Sequence, residues 1–294
     1  MRVAIVDIGS NTVRLLVADV TNEGVETVAE ERAHIGLGAE IADLGTLSPG
    51  TVDLVAGLAG DYARTSVSHG ASRVETIVTA PGRQAASAGP LLAALVSTTR
   101  APVRVLTADE EGRLAFDGAV ARARELPEVV AVVDVGGGST ELVVGTPRLG
   151  PAWVRSVDLG SLRLTRGSLP GDPPSGQQLT AAHDLVRRHL AGLQPPRPDL
   201  ALATGGSARA VARIVGRVFG TADLAEVARV LASRPSTEAA GLFGIAPQRA
   251  GTVLAGALLL GEAARLLGRP LELARGGLRE GAALALAAAD AVAA

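Results

Sequence analysis

A repeated Asp-Gly hairpin is the sequence feature that most constrains the fold of this chain. The first copy reads Asp-Ile-Gly-Ser-Asn at residues 7–11, and the second reads Asp-Val-Gly-Gly-Gly-Ser at residues 134–139. Apolar runs typical of β-strands flank both copies. The two align without gaps at a constant offset (134 − 7 = 127), which also pairs Thr12 with Ser139. A match of this length predicts a duplicated structural unit.

The duplication suits a chain of two domains. A length of 294 residues fits two domains of about 150 residues each. The pattern restarts at Pro127, which predicts domains over 1–126 and 127–294, with the last helix free to pack back on the first domain. Apolar runs alternate with helical patterns, among them single helices over 83–98 and 208–218. The expected fold class is α/β, with mixed sheets flanked by helices.

Composition excludes several kinds of chemistry. The sequence contains no Lys and no Cys, and only 2% of its residues are aromatic. It therefore cannot use the lysine of a P-loop, a Schiff base, a thiolate zinc site or a cysteine nucleophile. Few rings argue against a platform for single-stranded nucleic acid. The four His show no metal-ligand spacing, and the net charge of −2 predicts no general basic surface.

The location of the protein is predicted from its apolar segments. Met1 and Arg2 lead directly into a strand-like run, without the basic leader and apolar region of a signal peptide. The longest unbroken apolar stretches, near 253–260 and 282–289, are shorter than a membrane span. We therefore expect a cytoplasmic protein with neither a membrane nor a nucleic-acid polymer as partner.

Glycine turns after strands predict phosphate binding. They expose backbone N–H groups where no Cβ blocks the approach of an anion. A third such turn, at 204–207, opens a helix whose N-terminus also favours negative charge. One loop of this kind is more often only a turn, but three in one chain favour phosphate. The predicted phosphate-binding residues are Gly9, Ser10, Asn11, Gly136, Gly137, Gly138, Ser139, Gly205, Gly206 and Ser207.

Asp7 and Asp134 lead the two hairpins, and a carboxylate alone would repel phosphate. A divalent cation between the two groups removes this conflict, and Mg²⁺ is bound in this way in many phosphate sites. Asp7 and Asp134 are therefore the predicted ligands of Mg²⁺, with Mn²⁺ as the alternative ion. The competing interpretation is that both aspartates only cap their turns.

Three segments resemble the exopolyphosphatase / guanosine pentaphosphate phosphatase (Ppx/GppA) family. They are Val-Asp-Ile-Gly-Ser-Asn-Thr at 6–12, the extended Asp-Val-Gly-Gly-Gly-Ser-Thr-Glu-Leu at 134–142, and Gly-Leu-Arg-Glu-Gly at 277–281. The family belongs to the actin/sugar-kinase/Hsp70 superfamily. The resemblance implies two ribonuclease-H-like (actin-like ATPase) domains with the active site in the cleft between them. It also implies Mg²⁺-dependent hydrolysis of a terminal phosphoryl group, and a homodimer as a family-level expectation.

The resemblance assigns roles to three further residues. Glu111, in the Asp-Glu-Glu-Gly segment at 109–112, matches the family glutamate that activates water. Arg83 matches an arginine that contacts phosphate, although Pro81 and Gly82 depart from the family pattern. Glu141 matches an acidic residue that holds the metal or the attacking water. Without the resemblance, Glu111 would be interpreted as one of the acidic residues that commonly occupy the first turn of a helix, where the helix dipole favours negative charge.

The leading functional hypothesis is release of terminal phosphate from inorganic polyphosphate. The alternatives are removal of the 5′ γ-phosphate of guanosine pentaphosphate, in the stringent response, and a non-catalytic module that binds an alarmone or phosphate. A sugar-kinase-like ATP phosphotransferase of the same superfamily is a further alternative. The Ser-Thr-Glu-Leu motif and Glu111 argue against that enzyme.

Overall fold

The computed structural model describes residues 1–86, 88–123 and 125–293. The chain divides into two compact units. The first combines Met1–Arg122 with the segment from Gly276 onward, and the second is Ala123–Arg275. The residues from Gly276 onward thus lie in the first unit. The sequence analysis counted them in the second domain, although it allowed the last helix to pack on the first.

The first unit is built on a five-stranded mixed sheet of order β3-β2-β1-β4-β5. Its strands are β1 (Arg2–Ile8), β2 (Thr12–Thr21), β3 (Gly24–His34), β4 (Arg73–Val78) and β5 (Val103–Val105). The first three strands form antiparallel hairpins, whereas β4 runs parallel to β1 and β5 runs parallel to β4. The parallel pairs require helical crossovers, which cover the faces of the sheet.

Helices cover both faces of this sheet, because the central strand β1 is apolar on both sides. The helices before residue 123 are α1 (Leu37–Leu44), α2 (Pro49–Ser68), α3 (Ala80–Gln84), α4 (Gly89–Thr99) and α5 (Ala108–Ala121). Ala4, Val6 and Ile8 pack into one core with α1, α2 and α4. Val3 and Ile5 point to the opposite face and pack with Leu114 of α5. A strand buried on both faces explains the unbroken apolar run at the N-terminus.

The second unit repeats this sheet. Its order is β10-β11-β9-β6-β7-β8, with strands β6 (Val130–Val135), β7 (Thr140–Thr146), β8 (Gly150–Val157), β9 (Leu200–Thr204), β10 (Val218–Phe219) and β11 (Leu271–Leu273). The series β8-β7-β6-β9-β11 has the same order and strand directions as β3-β2-β1-β4-β5. Two α/β units with mixed sheets flanked by helices confirm the predicted fold class.

The helices of the second unit surround a core centred on one long helix. They are α6 (Ser161–Ser168), α7 (Gly176–Leu190), α8 (Gly205–Val215), α9 (Thr221–Ala232), α10 (Ser236–Phe243) and α11 (Pro247–Leu267). Residues 253–260 of α11 are buried all round. Such a helix is apolar on every face because it lies inside the unit.

The length of α11 corrects one sequence-based expectation. Its segment Arg249–Leu267 spans 19 residues at a mean hydropathy of 1.4, which is long and apolar enough to cross a membrane. The expectation considered only unbroken apolar runs, such as 253–260 inside this helix, and so passed over the longer segment. However, 67% of the most apolar window is buried inside the protein, as in the core helix of a globular domain.

Two predicted helices have different bounds. The single helix predicted over 83–98 is two helices, α3 and α4, and the second begins at Gly89 with Pro90 in its first turn. The helix predicted over 208–218 is α8, which begins at Gly205 and stops before Gly216 (φ 94°). The chain then enters β10, which the sequence pattern did not predict, nor did it predict α1 or α10.

The last helix, α12 (Leu278–Ala293), returns to the first unit and packs against α5. The two helices come into backbone contact at Gly118 of α5 and Gly281 of α12. A Cβ on Gly118 of α5 would lie 2.0 Å from the carbonyl oxygen of Gly277, and one on Gly281 would lie 1.8 Å from that of Leu114. No side chain fits at either position, so glycine sets the closeness of this helix pair.

We predict that Gly118→Ala lowers the free energy of unfolding by about 1–3 kcal/mol, because its methyl group must push the two backbones apart. Thermal and urea unfolding measure this loss. Gly57→Ala is the matched control: Gly57 is exposed within α2, and a Cβ there meets nothing within 4 Å. That variant gains roughly 0.5–1 kcal/mol from helix propensity. Equal effects of the two substitutions would contradict the close contact.

Candidate phosphate-binding site

The first hairpin turn is closed by its own backbone and anchored by the chain that follows β3. The N–H of Gly9 donates to the carbonyl of Thr12 at 3.0 Å. The carbonyl of Ser10 accepts from the N–H of Gly38 at 2.7 Å, and that of Asn11 accepts from Ile35 at 3.1 Å. The carbonyl groups at the tip are therefore bound by the protein. The predicted phosphate-binding residues of this hairpin sit on a fixed turn.

Asp7 lies next to this turn, one residue before the end of β1. Its side chain is buried, and its Oδ1 atom has no hydrogen-bond partner among the described residues. Burial raises the pKa of the Asp7 carboxyl, Arg14 and Arg279 oppose that rise, and Glu280 adds to it. A buried carboxylate without a partner is costly unless a cation compensates it. The residue therefore fits the predicted role of a ligand to a hard divalent ion.

The acidic residues at the start of α5 have three different environments. Glu110 closes a capping box with Thr107, where its Oε2 accepts from the Thr107 N–H at 2.8 Å. Asp109 is exposed and pairs with Arg113. Glu111 is the buried one of the three, at 7% exposure. The structure thus separates the predicted catalytic residue from two neighbours with ordinary structural roles.

Arg83 meets Glu111 inside the first unit. Its Nη2 lies 2.8 Å from Oε2 of Glu111, and its Nη1 donates to the carbonyl of Leu106 at 2.7 Å. The arginine lies in the last turn of α3, not at the start of a helix as the sequence pattern predicted. The short α3 directly follows β4, whose end adjoins the end of β1 through a hydrogen bond from Thr79 to Ile8 (3.1 Å).

The second hairpin repeats the first turn and is anchored by a helix. The N–H of Gly136 donates to the carbonyl of Ser139 at 3.0 Å. The carbonyls of Gly136 and Gly137 accept from the N–H groups of Ser161 and Leu162 in α6, at 2.9 and 3.0 Å. This approach needs Gly160, because a Cβ there would lie 2.4 Å from the backbone of Gly137.

Within the second unit, the structure brings the second and third loops together. Gly205 has a φ of 83°, and a Cβ on it would lie 2.4 Å from Oδ1 of Asp134. The hydroxyl of Ser207 donates to the carbonyl of Val135 at 3.2 Å. The Asp134 carboxylate therefore lies directly against the N-terminus of α8, the predicted anion-binding helix end.

Glu141 stands opposite Asp134 across the hairpin. It is 1% exposed, and its Oε1 accepts from the Ser156 hydroxyl at 2.8 Å. The position that pairs with Asp7 in the first hairpin is Arg14. The two duplicated hairpins therefore place opposite charges beside their aspartates, as the sequence alignment at offset 127 predicts.

Sequence reasoning gave no role to three residues that the structure places at these loops. The guanidinium of Arg249 in α11 covers Gly206, where a Cβ would lie 1.9 Å from its Nη1. Arg279 and Glu280 of α12 act electrostatically on Asp7. Arg279 donates to the Leu15 carbonyl at 3.2 Å, and Glu280 accepts from the Gly277 N–H at 2.9 Å. For Arg279 and Glu280 the available signal was the Gly-Leu-Arg-Glu-Gly motif itself, which does not include Arg249.

The fold and these loops define a class: a two-unit α/β protein with duplicated, glycine-rich hairpin turns after the central strands. The chain belongs to the Ppx/GppA phosphatase family, whose model matches residues 16–289. It is 32% identical to exopolyphosphatase 2 of Mycobacterium tuberculosis over 90% of this chain and 91% of that protein. It is 28% identical to exopolyphosphatase 1 of Mycobacterium leprae, covering 96% and 88%.

Solved structures share the architecture. The Ppx/GppA family member of Aquifex aeolicus is similar with a TM-score of 0.84 and 26% identity, covering 99% of this chain and 98% of that one. An exopolyphosphatase of Cytophaga hutchinsonii shares the fold with a TM-score of 0.86, at 20% identity and 96% coverage of both chains. Together with the family match and the named relatives, this makes the chain an enzyme of the exopolyphosphatase type, a phosphoanhydride hydrolase.

We predict that Asp7→Asn stabilises the protein in the absence of divalent ions, because it removes the charge of a buried carboxylate whose Oδ1 has no hydrogen-bond partner among the described residues. Mg²⁺ should stabilise the wild type by about 1.4 kcal/mol at ten times its Kd and stabilise the variant less. Thermal unfolding with and without Mg²⁺ measures both effects. Asp19→Asn, which removes a half-buried carboxylate that pairs with Arg2 in the same sheet, is the control and should leave the Mg²⁺ effect intact. An unchanged Mg²⁺ effect in Asp7→Asn would exclude Asp7 as a ligand.

Proposed function

We propose that this chain is a Mg²⁺-dependent exopolyphosphatase that releases terminal phosphate from inorganic polyphosphate through Glu-activated water. The observation that carries the proposal is the contact between Arg83 and the buried Glu111. A forked guanidinium suits phosphate oxygens, and a buried carboxylate beside it suits a general base. The names of the curated relatives, both exopolyphosphatases, support the same substrate class.

Arg83 links substrate binding to the proposed base. The guanidinium carries five N–H donors, and its two described contacts, with Leu106 and Glu111, leave others for phosphate oxygens. A bound terminal phosphate competes with Glu111 for the positive charge of Arg83. This competition weakens the ion pair when substrate is present, and Glu111 then turns to the attacking water.

The proposed reaction is an in-line displacement at the terminal phosphorus. Glu111 accepts a proton from water as the water oxygen bonds to phosphorus, and the bond from phosphorus to the bridging oxygen breaks. The products are inorganic phosphate and a polyphosphate shorter by one phosphate unit. Backbone N–H groups of the glycine loops and Arg83 bind the non-bridging oxygens, since phosphoryl transfer depends mainly on positioning and charge stabilisation. Glu141 is proposed to orient the water or the ion.

Asp7 and Asp134 are the proposed ligands of Mg²⁺, with Mn²⁺ as the alternative. The described residues contain no group of three or more His, Cys, Asp or Glu that could hold a metal ion. Mg²⁺ binds in proteins through one or two carboxylates and keeps its remaining positions for water and substrate phosphates, so two aspartates would be enough to hold it. When bound, the ion would neutralise charge on the phosphate oxygens.

Guanosine pentaphosphate is the second candidate substrate. The net charge of −2 favours it, because a long polyanion would be held better by a generally basic surface. A non-catalytic module that binds the alarmone or phosphate would bind such ligands and release no phosphate. A cytoplasmic location and a homodimeric state are also proposed, from the sequence and from the family respectively.

We predict that Glu111→Gln lowers kcat by about 10²–10⁴-fold, because the amide cannot accept the proton of the attacking water. The measurement is phosphate release from polyphosphates of defined length, guanosine pentaphosphate and ATP. Glu110→Gln is the matched control, since Glu110 is the neighbour of Glu111 and its carboxylate closes the capping box of α5. Its amide oxygen can still accept the Thr107 N–H, so this variant should keep the cap and keep its activity within a few-fold. Full activity of Glu111→Gln would refute the mechanism.

Arg83→Ala should raise KM for polyphosphate by about tenfold or more, because charged hydrogen bonds of this kind contribute about 1.5–3 kcal/mol each. It should also lower kcat, since the Glu111 carboxylate loses its positioning partner. Steady-state kinetics separate the two effects. Arg104→Ala removes an arginine that pairs with Glu75 and Glu110 and should leave KM unchanged. The same rise of KM in both variants would mean that Arg83 has no specific role.

A further inference from the structure

A groove in the second unit lies apart from all the proposed phosphate-binding residues. Helices α7, α9 and α11 enclose a cavity of about 490 Å³. Its floor is apolar and includes the buried side chains of Val186, Leu224, Ala228 and Leu258. Small-molecule sites in proteins have this size and this predominantly apolar lining.

Charged side chains line the groove beside its apolar floor. Three arginines, Arg187, Arg229 and Arg265, line it together with one carboxylate, that of Glu262. Arg265 forms a two-pronged contact with Glu262 at 2.6 and 2.9 Å, and Arg229 forms a similar contact with Glu226 at 2.5 and 2.7 Å.

Arg187 differs from these two arginines. It is exposed on α7 and makes no ion pair within the described parts of the chain. It is therefore available to an anion at the edge of the apolar floor. The groove thus has an apolar body and a cationic end.

We propose that this groove binds a small amphipathic anion, with its apolar body on the floor and a carboxylate, sulfonate or phosphate head on Arg187. The apolar floor offers no partner to polyphosphate, whose surface is charged throughout. The lining belongs to the middle and end of α11, whereas the phosphate loop meets this helix at Arg249 near its start. The site is independent of the proposed reaction.

The test is titration of the full chain with 8-anilinonaphthalene-1-sulfonate, followed by fluorescence and calorimetry, with displacement by decanoate. We expect saturable binding of one molecule per chain. Arg187→Glu should weaken it by about tenfold or more, because the head group then meets a like charge. Arg188→Glu, the adjacent residue of α7 outside the groove, should leave the affinity unchanged.

A second pair of variants tests the apolar floor. Ala225→Phe fills the groove from an exposed position of α9 and should abolish binding, whereas Ala222→Phe on the same helix lies outside the groove and should not. Phosphate release by all four variants checks that they fold. Equal affinity of Arg187→Glu and wild type would overturn the proposal. The proposal would also be overturned if the wild type formed a dimer and Ala225→Phe dissociated it, since a second copy of the chain would then occupy the groove.

Discussion

The placement of an aspartate near the end of a central strand that is apolar on both faces is the constraint on which the rest of each unit depends. In both units that strand pairs antiparallel with one neighbour and parallel with another. The same backbone hydrogen bond, at 3.0 Å, closes the turn after it. The parallel neighbour can be reached only by a crossover, so helices must cover both faces. The turn, the carboxylate and the layers thus follow from one strand.

The duplicated scaffold carries unequal chemistry. In the first unit, Arg14 stands opposite Asp7, and the helices add Arg83 and Glu111. In the second unit, Glu141 stands opposite Asp134, and the positive charge comes from Arg249 above Gly206. The backbone geometry is the shared part, while the side chains that differ are those proposed to activate water and bind phosphate. A duplicated fold can therefore hold one asymmetric reaction.

Local pattern was enough to predict the two hairpins and the strands other than the two-residue β10, because alternating and continuous apolar runs report burial directly. Pattern reasoning failed over 83–98, where one predicted helix is in fact two. The apolar spacing continues across the break, and the start of the second helix is marked only by Gly89 and Pro90. Pattern reasoning also could not place Arg249, Arg279 or Glu280. Their positions depend on long-range packing of α11 and α12, and no periodicity encodes such contacts. Only the motif at 277–281 pointed to Arg279 and Glu280.

The return of α12 to the first unit has a consequence for folding during synthesis. The face of the sheet formed by Val3, Ile5 and Ile77 is covered partly by Ala282 and Ala283 of α12. On the ribosome, residues 123–275 must be translated before that cover exists, which takes roughly 8–30 s at the usual rate of about 5–20 residues per second. The second unit can fold as a continuous segment during that interval. The first unit, although it begins earlier, is completed last.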